Sequence, residues 1–507
     1  MKDRFIKIKS ILHYLGWQLE VLAVLMLFPV ICVCWYWQRS NEGWTTVCAF
    51  ALPALASYLT GHLLKRRFKE TRLDSSGALI MCALGWLIVA AFGAVPFYVG
   101  TQVNVLDAYF ESVSGFTTTG ITVYSGLNAL PRSILLWRAL SQWLGGIGIL
   151  SFFLVATLSA SGAHHIYAAE SHKIASSRPV PGLMGTVKIL WTIYAGFTMA
   201  AWVSFACAGM GLFDSMCHAL TAVSTGGFSP HDSSLAYYRI NNYPHYRLIE
   251  YLTTFFMLLG GINFIIHYQV MTGRIKALWD NAEMRCWWRL LGLFSLVIAL
   301  ERLHQTGQLG VLAAGQRIGL QELEEIVRTT VFQVISIITT SGFAINDIGG
   351  EYYGTAAKQL FLVMMVIGGC AGSTSGGFKV MRIVILQRLM RGELFRARIS
   401  SRASSGVVID GRIVSDIEIQ RVAGLFMAWI VFLIVGGSVT ALFSRHGAYA
   451  SFSGMFSAVG NIGPCFISVN EMSQLHPVVK ITYIAGMLAG RLEILPVLLL
   501  FSRKAWQ

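Results

Sequence analysis

Residues 111–122 read Glu-Ser-Val-Ser-Gly-Phe-Thr-Thr-Thr-Gly-Ile-Thr, and the hydroxyl-glycine triplet within them, Thr118-Thr119-Gly120, recurs along the chain. Ser224-Thr225-Gly226 is the second copy, Thr340-Ser341-Gly342 the third, and Asn461-Ile462-Gly463 a degenerate fourth. Their glycines stand 106, 116 and 121 residues apart, so a unit of a little over a hundred residues is repeated four times from about Gly77 onward.

Each triplet follows about ten residues of moderate apolarity: 107–116, 213–223, 331–339 and 452–460. At 1.5 Å per residue such a piece reaches only halfway through a bilayer. It must return on the side it entered. Non-helical backbone at that depth is tolerated only where protein buries it or where it lines an aqueous cavity. The repeated unit is therefore span, half-helix, loop, span. Two crossings per unit give successive units the same orientation, which excludes an inverted repeat.

Four parallel units around one axis bring four loops to one height, the geometry in which backbone carbonyls replace a cation's hydration shell. Glycine suits such a loop because an inward carbonyl calls for backbone angles that a side chain resists. The half-helices point their negative C-terminal ends at the same place.

The rest of the chain supports a membrane setting. Only 13% of residues are charged against 55% hydrophobic, and the mean hydropathy is +0.60. That leaves too little polar surface to cover a water-soluble globule. Ten apolar stretches are long enough to span, roughly 16–37, 45–64, 77–99, 134–158, 186–211, 247–271, 286–303, 356–389 (interrupted), 420–444 and 477–501. The predicted fold is all-α and integral to the membrane: four parallel repeats around a pseudo-four-fold pore, plus two extra N-terminal spans. The expected divisions are 1–70 for the extra pair and 71–160, 161–275, 276–400 and 401–507 for the four repeats.

A formal net charge of +14 raises the question of nucleic acid. The basic residues fall instead in alternate connections: Lys2, Arg4, Lys7 and Lys9; Lys65, Arg66, Arg67 and Lys69; Arg274, Lys276 and Arg285; and Arg388, Arg391, Arg396, Arg398, Arg402 and Arg412. These connections are cytoplasmic by the positive-inside rule, and both termini with them. Such clusters suit anionic lipid headgroups rather than nucleic acid. No cleavable leader is expected, because the first apolar stretch is long enough to span. The nine cysteines lack metal-ligand spacing and read as small buried hydrophobes. His164 and His165 carry no metal pattern. Glu20 and Glu250 read as interfacial residues near span ends. Asp107 and Glu111 either gather cations at the outer mouth or stabilise a helix N-terminus.

At the quoted residues the chain resembles the superfamily of K+ transporters that includes Trk, Ktr and plant HKT proteins, most closely its TrkH-type potassium-translocating subunits. The matching segments are 111–122, 218–229 (HALTAVSTGGFS), 339–343 (TTSGF), 456–464 (FSAVGNIGP), 367–379 (IGGCAGSTSGGFK) and 489–495 (AGRLEIL). The resemblance implies K+ as the transported ion, a homodimer with one pore per protomer, a bacterial cytoplasmic membrane, and a cytosolic TrkA-type nucleotide-binding partner. This chain itself lacks a GxGxxG in a βαβ context, so no bound nucleotide is expected on it. In some HKT relatives the first filter glycine is serine, a change associated with Na+ preference. Here Gly120, Gly226, Gly342 and Gly463 are all glycine, while Cys465 departs from the small residue expected in the fourth loop.

Below the triplets, the eighth span is interrupted by a run that includes Gly368, Gly369, Gly372, Ser373, Thr374, Ser375, Gly376 and Gly377. Each glycine costs a helix about 1 kcal/mol relative to alanine. The run is either a packing kink or a gate, an intramembrane loop across the ion path. Gly145-Gly146 and Gly260-Gly261 are its counterparts in other units. Arg491 falls at the same depth and is either a salt-bridge partner to another helix or a positive constriction of the pore. Two transport readings remain: a gated, channel-like K+ translocator, or an H+- or Na+-coupled symporter using Glu493 or Asp107. Absence of HExxH, GxSxG and Walker A patterns argues against an enzyme.

Overall fold

The computed structural model describes residues 2–35, 42–69, 71, 73–159, 183–309, 319–396 and 407–506. His164, His165, Arg398 and Arg402, and the expected divisions at 160/161 and 400/401, lie outside the described residues.

Two N-terminal helices precede the repeats. The first is α1 (Lys2–Met26), continued after Leu27 by α2 (Phe28–Trp35), where Pro29 in the opening turn brings no N–H donor. α3 (Trp44–Arg67) packs back on α1. Glycine sets the crossing: a Cβ on Gly16 would lie 2.7 Å from the Gly61 carbonyl oxygen, and one on Gly61 would lie 2.6 Å from that of Gly16.

The first unit is α4 (Ser75–Thr101), α5 (Val105–Phe116) and α6 (Arg132–Ser159). The second is α7 (Leu183–Cys207), α8 (Leu212–Val223), then α9 (Tyr246–Gly261) and α10 (Phe264–Met271), which bend by 104° just after Gly260-Gly261. The third is α11 (Ala282–Gln305), α12 (Leu320–Ile338), α13 (Thr355–Ile367) and α14 (Val380–Arg396). A short antiparallel hairpin, β1 (Val408–Ile409) with β2 (Arg412–Ile413), leads to the fourth unit. That unit is α15 (Asp416–Phe443), α16 (Ala448–Gly460), α17 (Pro477–Arg491) and α18 (Leu495–Phe501). Apart from the hairpin the described elements are helical, and each of the ten expected spans is a helix or an interrupted helix.

The half-helices α5, α8 and α16 are 12, 12 and 13 residues long. α12 differs from expectation. It has 19 residues and begins at Leu320 rather than near 331. Its first turns carry Glu322, Glu324 and Glu325, which break the apolar run and hide the helix from a hydropathy reading.

Among the described residues, five helices are long and apolar enough to cross a membrane, and α9 with α10 makes a sixth if the bent pair is one span. Several others carry ionic groups inward: Arg138 on α6, Glu283 on α11, and Lys480 and Arg491 on α17 are buried. Polarity is thus inverted relative to a soluble protein. Hydroxyls of Ser112, Ser114, Thr221, Ser336 and Ser457 are buried, while Leu52, Leu55, Leu59 and Leu63 of α3 and Val431, Ile434 and Val435 of α15 are exposed. A lipid solvent requires this arrangement, and the chain is a multi-pass membrane protein.

Candidate functional site

Each half-helix ends in the same turn. Four backbone amides reach back five residues: Thr119 to the Ser114 carbonyl (2.9 Å), Gly226 to Thr221 (2.9 Å), Ser341 to Ser336 (2.8 Å) and Ile462 to Ser457 (3.0 Å). The residue before each of these amides is left-handed, with φ of 52° at Thr118, 53° at Thr225, 56° at Thr340 and 55° at Asn461. The residue after each is a left-handed glycine: Gly120 (82°), Gly227 (75°), Gly342 (78°) and Gly463 (108°). Left-handed threonine is a strained choice that persists only when its surroundings hold it.

This geometry corrects the register of the second loop. The residue matching Gly120 is Gly227, not Gly226, and the second triplet is Thr225-Gly226-Gly227 rather than Ser224-Thr225-Gly226. The other three triplets keep the register expected from sequence. Two consecutive glycines made both alignments readable, and only the backbone angles separate them.

The four loops close into a ring. A Cβ on Gly120 would strike the carbonyl oxygen of Gly226; one on Gly227, that of Ser341; and one on Gly342, that of Ile462. A Cβ on Gly463 would lie 2.9 Å from the carbonyl oxygen of Thr119, returning to the first loop. Each left-handed glycine therefore abuts the carbonyl at the same register position of the next loop. Glycine is required at these places by backbone angle and by space together.

Above the ring, an open vestibule of about 670 Å³ is lined by Gly120, Gly227, Gly342 and Gly463, with Asp232 and Asp347 on its wall. The acids singled out in sequence lie elsewhere. Glu111 is buried, accepts from Arg138 Nε at 2.8 Å, and also binds the Thr122 hydroxyl and Val123 amide. Arg138 donates onward to the Ser229 carbonyl at 3.0 Å, so this pair staples the exits of the first two loops. Asp107 is paired with Lys480 and accepts from Asn104 Nδ2. Neither carboxylate stands at the mouth. Glu250 is likewise buried, against Arg328, rather than interfacial.

Below the ring lies the interruption of the eighth span. Residues 368–379 separate α13 from α14 and touch structure from the second, third and fourth units. The Thr374 hydroxyl donates to the carbonyls of Val223 and Gly260, both at 3.0 Å. The Gly376 amide donates to Thr340 Oγ1 at 2.6 Å. A Cβ on Gly376 would lie 2.6 Å from the Gly460 carbonyl oxygen. The Cys370 amide donates to Gly261 and the Ala371 amide to Glu283 Oε1 at 2.7 Å. Gly368, Gly369 and Gly377 close the neck of the loop, where Cβ atoms would meet opposing chain. Ser373 donates to the Cys370 carbonyl, and Ser375 Oγ is buried without a hydrogen-bond partner among the described residues.

Arg491 joins this assembly. It is buried and donates to the Thr374 carbonyl at 2.7 Å and the Gly145 carbonyl at 3.1 Å. Among the described residues no carboxylate forms a salt bridge with it, and Glu493 pairs instead with Arg382 at 2.6 Å. Of the expected glycine counterparts, Gly145-Gly146 lie inside a continuous helix, while Gly260-Gly261 close α9 at the sharp bend. Among the described residues there is no cluster of His, Cys, Asp or Glu suited to a metal ion.

A membrane-embedded ring of four equivalent loops, with a vestibule above and a plug of backbone below, defines a class of protein that passes small ions. Comparison with known proteins narrows this. Residues 46–507 match the TrkH family, described as cation transport protein, and the chain belongs to that family. It is 29% identical to the Trk system potassium uptake protein TrkH of Escherichia coli K12, over 98% of this chain and 99% of that one. It is 30% identical to the protein of that description from Halomonas elongata, over 99% of each. The crystal structure of the potassium transporter TrkH from Vibrio parahaemolyticus superposes with a TM-score of 0.83 at 29% identity, covering 99% of this chain and 100% of that one.

Proposed function

We propose that this chain takes up K+ across a bacterial cytoplasmic membrane through the four-loop ring acting as a selectivity filter. The observation that carries this reading is the closed ring itself, in which four left-handed glycines each meet the carbonyl of the next loop. The filter comprises Thr118-Thr119-Gly120, Thr225-Gly226-Gly227, Thr340-Ser341-Gly342 and Asn461-Ile462-Gly463, with Ser224 just below. The potassium-uptake descriptions of the relatives support K+ as the ion.

Residues 368–377 are the gate and Arg491 its positive latch. Backbone and hydroxyl groups of the neighbouring units hold the loop directly beneath the ring, where a cation must pass. A cytosolic TrkA-type partner docked on the basic connection after α14 draws the loop aside, within a homodimer whose basic face meets anionic lipids and whose termini are both cytoplasmic. The four repeats, divided near 71, 161, 276 and 401, supply one filter loop each, and residues 1–70 are an added pair of spans. Coupled symport is less well supported, because Asp107 and Glu493 are engaged by Lys480 and Arg382.

The test is 86Rb+ uptake into proteoliposomes containing this chain, with K+, Na+ and Li+ as competitors. Competition by K+ far above Na+ and Li+ is expected; equal competition by all three rejects the K+ filter. A reversal potential that follows a proton gradient would instead favour symport.

A further inference from the structure

We propose that Gln142 is a positioning residue for the filter, supplying from α6 the side chain that the second loop lacks; this rests on the filter reading above.

The register makes the vacancy visible. Gly226 stands where the other loops have Thr119, Ser341 and Ile462. Two of those side chains brace their own loops: Thr119 Oγ1 shares a hydrogen bond with Thr117 Oγ1 at 2.7 Å and accepts from Asn461 Nδ2 at 2.9 Å, and Ser341 Oγ pairs with Thr339 Oγ1 at 2.8 Å. Ser224, which matches Thr117 and Thr339, faces a glycine at that position and donates to the Thr221 carbonyl at 3.3 Å.

Gln142 fills that space. It is fully buried, and its amide carbon and Oε1 occupy the place a Cβ on Gly226 would take. Nε2 donates to the Gly226 carbonyl at 2.6 Å and Oε1 accepts from the Phe228 amide at 3.0 Å. The side chain thus clamps the loop on both sides of Gly227, and it fixes one of the four carbonyls that form the ring. Its burial is tolerable only because both ends of the amide are satisfied.

The second spans carry the matching exchange. Gln142-Trp143-Leu144-Gly145-Gly146 aligns with Met257-Leu258-Leu259-Gly260-Gly261, Met365-Val366-Ile367-Gly368-Gly369 and Met487-Leu488-Ala489-Gly490-Arg491. Packing supports the alignment, since Cβ atoms on Gly145, Gly260 and Gly490 would each press on the carbonyl three residues before the Gly226 position of their own loop, at Phe116, Val223 and Val459. Methionine therefore fills this buried position in three units, and the next loop in ring order after each carries a side chain at the Gly226 position. The one polar residue precedes the one bare loop. Gln142 and Gly226 form a compensated pair.

Competition of K+ and Na+ against 86Rb+ uptake in proteoliposomes tests the pair. Gln142→Glu keeps the shape but replaces the donor with an oxygen facing the Gly226 carbonyl, and it should lose K+ over Na+ discrimination by roughly tenfold, as for one lost buried hydrogen bond. Gln142→Ala and Gly226→Ser should each lose discrimination too. The double variant Gln142→Ala with Gly226→Ser should regain most of it, because Gly226 is not left-handed and a serine there can pair with Ser224. Gly120→Ser is the control for the filter itself. Wild-type discrimination in both Gln142 variants, with loss in Gly120→Ser, overturns the positioning role alone. Wild-type discrimination in Gly120→Ser overturns the filter reading beneath it. If the single variants fail to assemble, the double variant still decides: recovered assembly and selectivity support the exchange, and a double no better than the worse single removes it.

Discussion

Glu283 accepts a hydrogen bond from the backbone amide of Ala371 at 2.7 Å, so a carboxylate in the first turn of α11 holds the middle of the broken eighth span. The residue before it, Ala282, donates its amide to Asp410 at 3.0 and 3.1 Å, and Arg285 pairs with the same carboxylate at 3.1 Å. Asp410 sits at the tip of the hairpin in the basic connection. Hairpin and loop are thus fastened to neighbouring residues of one helix. A hydrogen bond to a charged group contributes about 1.5–3 kcal/mol, or roughly 10- to 100-fold in a two-state equilibrium. Glu283→Ala should raise partner-independent 86Rb+ uptake within that range, and Asp410→Ala should raise it less. Unaltered uptake in a stable Glu283→Ala protein would show that the loop does not depend on this bond.

The register of the second loop predicts an order of severity. Gly227 is left-handed and faces the Ser341 carbonyl, whereas Gly226 is opposed chiefly by the Gln142 side chain. A side chain at 227 meets backbone, which cannot swing away. Gly227→Ser should therefore relax K+ over Na+ discrimination as far as Gly120→Ser and Gly342→Ser do, and further than Gly226→Ser. Competition assays that rank Gly226→Ser as the worse of the two would instead place Gly226 at the Gly120 position.

Much of this was readable in the chain because it is written locally. The four triplets, the glycine run and the spans are contiguous patterns whose spacing survives without knowledge of the fold. The register at 226–227 was not, since adjacent glycines look alike until φ is known. Partners of buried charge were also hidden. Glu111 and Arg138 lie 27 residues apart and Asp107 and Lys480 lie 373 apart, so their carboxylates read as solvent-facing acids. α12 reads short in the sequence because charges in its early turns look like a loop when apolarity alone marks a helix.

The Glu111–Arg138 pair predicts a stability loss rather than a transport phenotype of its own. Both side chains are almost fully buried. Removing one partner of a buried pair leaves an uncompensated charge, at a cost of about 3–5 kcal/mol. Arg138→Ala should lower the thermal unfolding midpoint in detergent markedly, and Arg138→Ala with Glu111→Gln should be less destabilised than the two single losses added together. Strict additivity in a double-mutant cycle would mean that the two groups do not act as a pair.

Shortening the loop by two residues within 372–376 separates gate from filter. The loop reaches Val223, Gly260 and Thr340 only because its length lets Thr374 and Gly376 lie under the ring. A shorter connection cannot keep those contacts. Uptake should rise and become largely independent of the cytosolic partner, with K+ over Na+ competition unchanged. Should the shortened protein still conduct only with its partner's activating ligand, the loop is not the gate.

Arg491 allows charge and tether to be tested apart. It takes the register position held by Gly146, Gly261 and Gly369 in the other units, and its guanidinium spans from Thr374 to Gly145. A unit charge about 4 Å from a passing cation opposes it by about 4 kcal/mol at an effective dielectric near 20. Arg491→Ala removes both the charge and the two hydrogen bonds, and should raise 86Rb+ flux without altering K+ over Na+ competition. Arg491→Lys keeps the charge but cannot reproduce the planar two-pronged donation. If charge sets the barrier, the lysine variant should conduct like wild type; if the tether to Thr374 sets it, lysine should behave like alanine. Reduced flux in Arg491→Ala together with a lowered unfolding midpoint would assign the residue to holding the fold and remove it from the ion path.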